Sequence, residues 1–223
     1  MKKILLVALA ILVIGSVSYG QDVVPNLTAG SKALVFTFGG LSNLAANNFS
    51  GGFGAKYYLS SSMAVRGVLQ FSSAATTTPA NPGAGQVGVD GETSNTTIGV
   101  GGAVELHMGS GRVSPYLGGG VGFSTTSTES KNPATATPPA VPAQTTVKNN
   151  NAPTTFTVYA MAGFEFFLWK EASLSGEYRI GFSSSSLKDV ETTTGATTTT
   201  VKQGSSSTIG IAAQGALVLA VYF

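Results

Sequence analysis

Apolar residues along most of this chain fall on alternate positions, with a period of two, for stretches of ten residues or more. In the run SSTIGIAAQGALVLAVYF every second position back from Phe223 is apolar: Val221, Leu219, Leu217, Gly215, Ala213, Ile211 and Ile209. Alternation of that kind marks a strand with one apolar face. The same reading places eight strands at about 31–40, 49–59, 63–73, 95–109, 113–124, 154–169, 172–185 and 206–223. A strand needs about ten residues to cross the hydrocarbon layer of a bilayer, and most of these segments meet that length. A long terminal strand with an uninterrupted apolar face would leave an aggregation-prone edge on a water-soluble protein. Closing a barrel inside a membrane removes the edge.

The connections alternate in length. GSGRV and the neighbourhoods of Ser60 to Ser62 and of Lys170 to Glu171 are tight turns. Residues 74–94, 125–153 and 186–205 are long, with 41–48 a shorter member of the same class. Tight turns on one side and longer loops on the other predict an all-β fold, an eight-stranded antiparallel up-and-down transmembrane β-barrel with both ends in the periplasm. The faces agree with this division. Leu34, Phe36, Phe53, Leu69, Ile98, Val100, Leu117, Val121, Val158, Phe164, Leu174 and Ile180 all point outward by parity, and no charge interrupts that face in mid-strand. Outward aromatics gather at two levels. Phe38, Phe49, Phe71, Phe123, Phe156 and Phe182 lie near the long loops, and Trp169 and Tyr222 near the tight turns, as an interface girdle does. A soluble lipocalin-type barrel, with the apolar face inside, is the competing fold.

Residues 1–20 read as a signal peptide: Lys2 and Lys3, an apolar run from Ile4 to Ile14, then small residues before Gln21. Residues 21–30 are then a periplasmic N-terminal segment and 31–223 the barrel. Only 10% of residues are charged, against roughly 25% in a typical soluble domain. The formal charge of +2 resides in Lys2 and Lys3, so the mature chain is near neutral and carries no footprint for nucleic acid. There is no Cys, hence no disulfide framework and no thiolate metal site.

The strand–turn–strand run GGFGAKYYLSSSMAVRGVLQF and the later VSPYLGGGVGF resemble the outer-membrane β-barrel domain family that includes OmpA-, OmpX- and Opa-like barrels. The resemblance implies a bacterial outer-membrane location, a monomer among outer-membrane lipids and lipopolysaccharide, and a C-terminal assembly signal, Tyr222 and Phe223, read by the barrel-assembly machinery in transit. It also implies that function varies with the outer loops. No peptidoglycan-binding domain is expected after the eighth strand.

Six charges fall on the inward face: Lys56, Arg66 and Arg179 against Glu105, Glu165 and Glu177. Eight strands leave an interior that side chains can fill, and buried charges need partners. An ion-pair cluster across the lumen is therefore expected, with Gln70, Tyr116, Tyr159 and Gln214 as polar neighbours and Gly99, Gly101, Gly118, Gly120 and Gly122 making room. The same charges would alternatively line a narrow passive channel for small solutes or ions.

Catalytic chemistry is scarce, and no enzyme activity, cofactor or metal is expected. The sole histidine, His107, lies inward beside Glu105 and reads as a hydrogen-bonded filler. Asp90 and Glu92 read as solvated loop charges, while GVGGAV and GGFGAK lack the context of nucleotide-binding loops. The long connections, such as TTTPANPGAG, NPATATPPAVPAQTTVKNNN and ETTTGATTTT, are expected to be mobile or locally extended, with ladders continuing some way past the membrane. They would serve as hydrophilic spacers or as an adhesin-like surface for an extracellular ligand. Structural or surface interaction is the expected role.

Overall fold

A computed structural model describes residues 27–38, 49–109, 111–210 and 216–223. The side chains of 49–51, 209, 210 and 216, and hence the expected roles of Phe49 and Gln214, lie outside the described set. The strands are β1 (Lys32–Phe38), β2 (Phe49–Tyr58), β3 (Met63–Thr78), β4 (Val87–Val89), β5 (Gly91–His107), β6 (Val113–Lys131), β7 (Ala134–Ala136), β8 (Thr145–Lys148), β9 (Pro153–Trp169), β10 (Ala172–Leu187), β11 (Val190–Thr194), β12 (Thr197–Val201), β13 (Ser205–Gly210) and β14 (Ala216–Tyr222). Every pairing among them is antiparallel. The ring runs β1, β2, β3, β5, β6, β9, β10, β14 and back to β1, where Ala33 pairs with Tyr222 and Phe38 with Leu217. Eight strands thus close on themselves without a free edge in the wall. No described helix is long and apolar enough to cross a membrane, so any crossing is made by strands.

The two faces of this wall are inverted relative to a water-soluble barrel. Leu34, Phe53, Leu69, Ile98, Val100, Leu117, Phe164 and Ile180 are all half exposed or more on the outside, while Lys56, Arg66, Glu105, Glu165 and Glu177 are buried inside. A lipocalin-type fold requires the opposite arrangement, and is excluded on this ground. The outer faces of Phe71, Phe123, Phe156 and Phe182 lie exposed toward the long-loop end, with Phe38 half-buried, and Trp169 lies exposed near a tight turn.

Tyr222 departs from the expected girdle. It is 8% exposed and faces the lumen, because its parity is opposite to that of Val221 and Phe223 on the same strand. Its ring joins Val35, Tyr58, Phe167 and Val218 in an apolar layer at the tight-turn end of the interior.

The long connections, expected to be mobile or locally extended with ladders continuing past the membrane, are strands through much of their length. β5 and β6 stay paired out to Glu92 and Lys131. β9 leaves the flank of β6 after Thr154, and β8 takes its place there, with Glu129 opposite Lys148. β11 then pairs with β8 and β12 with β11, while β4 pairs with β7 in a small separate ladder. Thr-rich sequence is poor at burying surface but β-branched at every Thr, and it extends a ladder that the wall below has already started.

Candidate functional site

The interior is built in layers whose origin is the period of two on each strand. Lys56 and Arg66 are direct cross-strand partners on β2 and β3, so two like charges begin side by side. Glu165 and Glu177 are not opposite each other: Glu165 pairs with Ser175 and Glu177 with Gly163, a diagonal offset of two residues. That offset lets the charges interleave. Arg179 Nε donates to Glu177 Oε1 at 2.8 Å, and Arg66 Nη2 donates to Glu177 Oε2 at 2.8 Å. Arg66 Nε lies 3.1 Å from Glu105 Oε1, Lys56 Nζ 2.9 Å from Glu105 Oε2, and Lys56 Nζ donates to Glu165 Oε2 at 3.2 Å. The six residues form one chain of alternating sign, from Arg179 through Glu177, Arg66, Glu105 and Lys56 to Glu165, with zero net charge. Attraction between successive members offsets the desolvation that each would otherwise suffer alone.

Burial is nearly complete along this chain, with Arg179 the exception at 31% side-chain exposure. It stacks over the Tyr159 ring, 4.7 Å from the centroid, at the upper margin of the cluster. Tyr116 donates its hydroxyl to Glu177 Oε2 at 3.0 Å. Gln70 is exposed and takes no recorded part in the ion pairs.

Glycines admit the aromatic members. A Cβ on Gly120 would stand 2.6 Å from Tyr159 Cζ, and one on Gly163 would stand 2.6 Å from Tyr116 Cζ. Gly118 is similarly covered by the Met161 methyl, while a Cβ on Gly99 would press on Ser124 and Gln70. Gly101 and Gly122 face only backbone oxygens, so they make no room for a side chain of the cluster. Gly163 was the glycine whose part is invisible without the β6–β9 register.

Several contributors join from positions that alternation alone marks as inward without marking as polar partners. Tyr222 and Ser173 both donate hydroxyls to Glu165 Oε1, and Tyr58 donates to Glu165 Oε2 at 3.4 Å. A Tyr222→Phe substitution removes one hydrogen bond to a buried charge, a loss of about 1.5–3 kcal/mol. Urea unfolding in lipid vesicles should show it as a lower midpoint with an unchanged slope.

His107 completes the lower part of the network. Its Nε2 is 3.2 Å from Glu105 Oε2, and its Nδ1 is 3.0 Å from Ser114 Oγ. The Ser–His–Glu juxtaposition is that of a nucleophile, base and orienting group, but the protons run the wrong way. Ser114 donates its single hydroxyl proton to the Gly109 carbonyl at 2.9 Å, so toward His107 it acts as acceptor of Nδ1–H. His107 and Ser114 are also 6% and 2% exposed, beyond reach of a substrate. The arrangement fixes the β5–β6 turn.

No group of three or more metal-ligating side chains occurs among the described residues. In the outer part of the molecule, Asp90 accepts from the Ala80 amide at 2.8 Å, and its own carbonyl accepts from Gln144 at 2.7 Å, which pins the 79–90 connection. Lys131 pairs with Glu129 at 3.1 Å, and that carboxylate raises the Lys131 ammonium above its ordinary value through the shared hydrogen bond.

An antiparallel eight-strand ring with an apolar exterior and an ion-paired interior defines a transmembrane β-barrel. The chain belongs to the outer membrane protein beta-barrel domain family, which it matches over residues 5–212. That membership implies an outer-membrane location. No curated protein matches the chain.

Proposed function

We propose that this protein is a monomeric, non-conducting barrel of the bacterial outer membrane, held among its lipids and lipopolysaccharide, that serves as a rigid base for a surface-interaction sheet. No catalytic role, cofactor or nucleic-acid partner is assigned to it. The observation that carries the reading is the burial of the ion chain: the side chains of Lys56, Glu105 and Glu165 are 1%, 0% and 0% exposed. Water that cannot reach those groups cannot carry ions past them. Below them the layer of Tyr58, Phe167 and Tyr222 closes the tight-turn end with apolar rings. The exposed Phe223, together with Tyr222, is offered to the barrel-assembly machinery before insertion.

Single-channel recording in planar bilayers tests the closed lumen. The parent protein should be silent, and a Glu165→Ala, Glu177→Ala double variant should leak, because it leaves Arg179 without its carboxylate, Lys56 and Arg66 with Glu105 alone, and opens the space two carboxylates filled. Steady salt-dependent current steps in the parent would replace this reading with that of a narrow channel whose selectivity those charges set.

A further inference from the structure

The sheet beyond the membrane ends on a strand with nothing beside it among the described residues. In the order β6, β8, β11, β12, the last strand pairs only with β11, and all five of its residues, Thr197 to Val201, are exposed. Natural edges are normally blunted by a charge, a proline or a bulge. β12 has none of these: its sequence is TTTTV, in unbroken register with β11.

Residues 39–48, which join β1 to β2, are too short to cover it. Phe38 pairs with Leu217, which pairs with Gly176, whereas β13 begins opposite Ser186, ten residues higher along β10, and β12 lies beyond that. A ten-residue connection that rises and returns climbs about five residues, roughly 17 Å at 3.3–3.4 Å each. It falls short by half.

The charges of the sheet lie on the strands behind this edge, in a row that ends opposite Thr200 of β12. Glu129, Lys148 and Glu191 form one cross-strand row, and Lys131 sits on the same face. The opposite face, with Ser130, Val147, Thr192 and Thr199 in a row, is uncharged and continues the lumen-side parity of β6. β12 already makes Thr–Thr pairs with β11, at Thr192–Thr199, Thr193–Thr198 and Thr194–Thr197, with the Thr193 and Thr198 hydroxyls 2.9 Å apart. A second β12 presents the same hydroxyls and methyls at the same spacing, with no charge to repel its twin.

We propose that β12 pairs with β12 of a second copy of this chain, antiparallel and centred on Thr199, and that the two copies stand in facing membranes. Thr198 then meets Thr200 of the other copy, and Thr197 meets Val201. The opposed placement follows from symmetry. A two-fold axis that makes two edge strands antiparallel is perpendicular to their sheet. This sheet prolongs the barrel wall, so its plane contains the barrel axis, and the two-fold lies parallel to the membrane. It therefore turns the second barrel upside down. Parallel pairing would instead place both copies in one membrane.

Reach agrees with the geometry. Thr199 is in row with Ser130, seven residues beyond the girdle residue Phe123 on β6. At a strand tilt of about 40° those seven residues rise roughly 18 Å, and the row, perpendicular to the tilted strands, climbs roughly 9 Å more over the three steps from β6 to β12, so the two girdles stand roughly 55 Å apart. Five residues of ladder bury far less than the roughly 1,000 Å² that a stable pair requires. Each contact is weak, and adhesion arises from many copies on each surface. The proposal rests on the surface-interaction reading; current through the parent would overturn the closed lumen there without altering an aggregation result here.

The test uses two differently coloured, differently tagged cell populations displaying the full chain, with equal folded protein in each verified by gel mobility. Mixed-colour clumps are expected, from which cells lacking the chain are excluded. Thr199→Pro, and separately Thr198→Lys with Thr200→Lys, should each lower clumping at least about tenfold. The chain has no Cys, so Thr199→Cys supplies a single thiol, and disulfide-linked dimers carrying both tags are expected. Absence of clumping, clumping indifferent to both edge variants, equal recruitment of cells lacking the chain, or linked dimers carrying only one tag would each overturn the proposal.

Discussion

A Gly54→Val protein should fail to form the folded, heat-modifiable species on refolding into detergent, while Gly67→Val forms it normally. The two glycines are close neighbours in one hairpin, Gly54 opposite Val68 and Gly67 opposite Ala55. Their surroundings differ completely. A Cβ on Gly54 would overlap the Gly67 carbonyl oxygen and press on the Val68 Cα, all backbone atoms of the adjoining strand. One on Gly67 would meet nothing within 4 Å and would point to lipid. Overpacking that side chains can relieve costs about 1–3 kcal/mol. Backbone of a closed ring cannot rotate aside, so the cost at Gly54 exceeds that range and the wall does not close. Equal yields of the two variants in a gel-shift assay would show that β2 can move away from β3 at this level.

Lys56→Met should lower stability by about 3–5 kcal/mol, the range for removing one partner from a buried ion pair. Lys56 lies between Glu105 at 2.9 Å and Glu165 at 3.2 Å, and methionine leaves both carboxylates without the cation they share. Adding Glu165→Gln should restore part of the loss, since it removes one stranded charge while Tyr58, Ser173 and Tyr222 remain around the amide. The readout is urea unfolding in vesicles followed by the emission of Trp169, the chain's one tryptophan, which is half exposed on the outer surface. Lys32→Met, on an exposed side chain at the rim, is the matched control and should leave the midpoint in place. A Lys56→Met midpoint equal to that of Lys32→Met would mean that water, and not Lys56, neutralises the two carboxylates.

The wall strands were legible because alternation is a strong signal where one face meets lipid and the other meets a filled lumen. A slip of one residue would turn Lys56, Arg66 and Glu105 outward, so their inward placement follows from the apolar residues on either side. Tyr222 shows how the same rule is lost when a residue is judged by its distance from a turn. Its neighbours Val221 and Phe223 face outward, and parity alone sends it inside. The partners of the ions needed more than parity. The diagonal offset of Glu165 and Glu177, and the approach of Ser114 to His107, depend on registers between strands that no single segment contains. The long connections were hardest to read. In TTTTV, and in the Thr run of VETTT, neighbouring positions are alike, so no alternation reports which face is which, and only the wall beneath sets their pairing.

The seam between β1 and β14 has a consequence for how the molecule comes into being. Ala33 and Tyr222 are ladder partners from opposite ends of the chain. Every other wall contact joins strands that follow one another round the ring in chain order, whereas this one joins the first to the last. Contacts of such wide sequence separation are the slowest to form. Until they do, β1 and β14 are two unpaired edges with apolar faces, open to pairing with any other exposed strand.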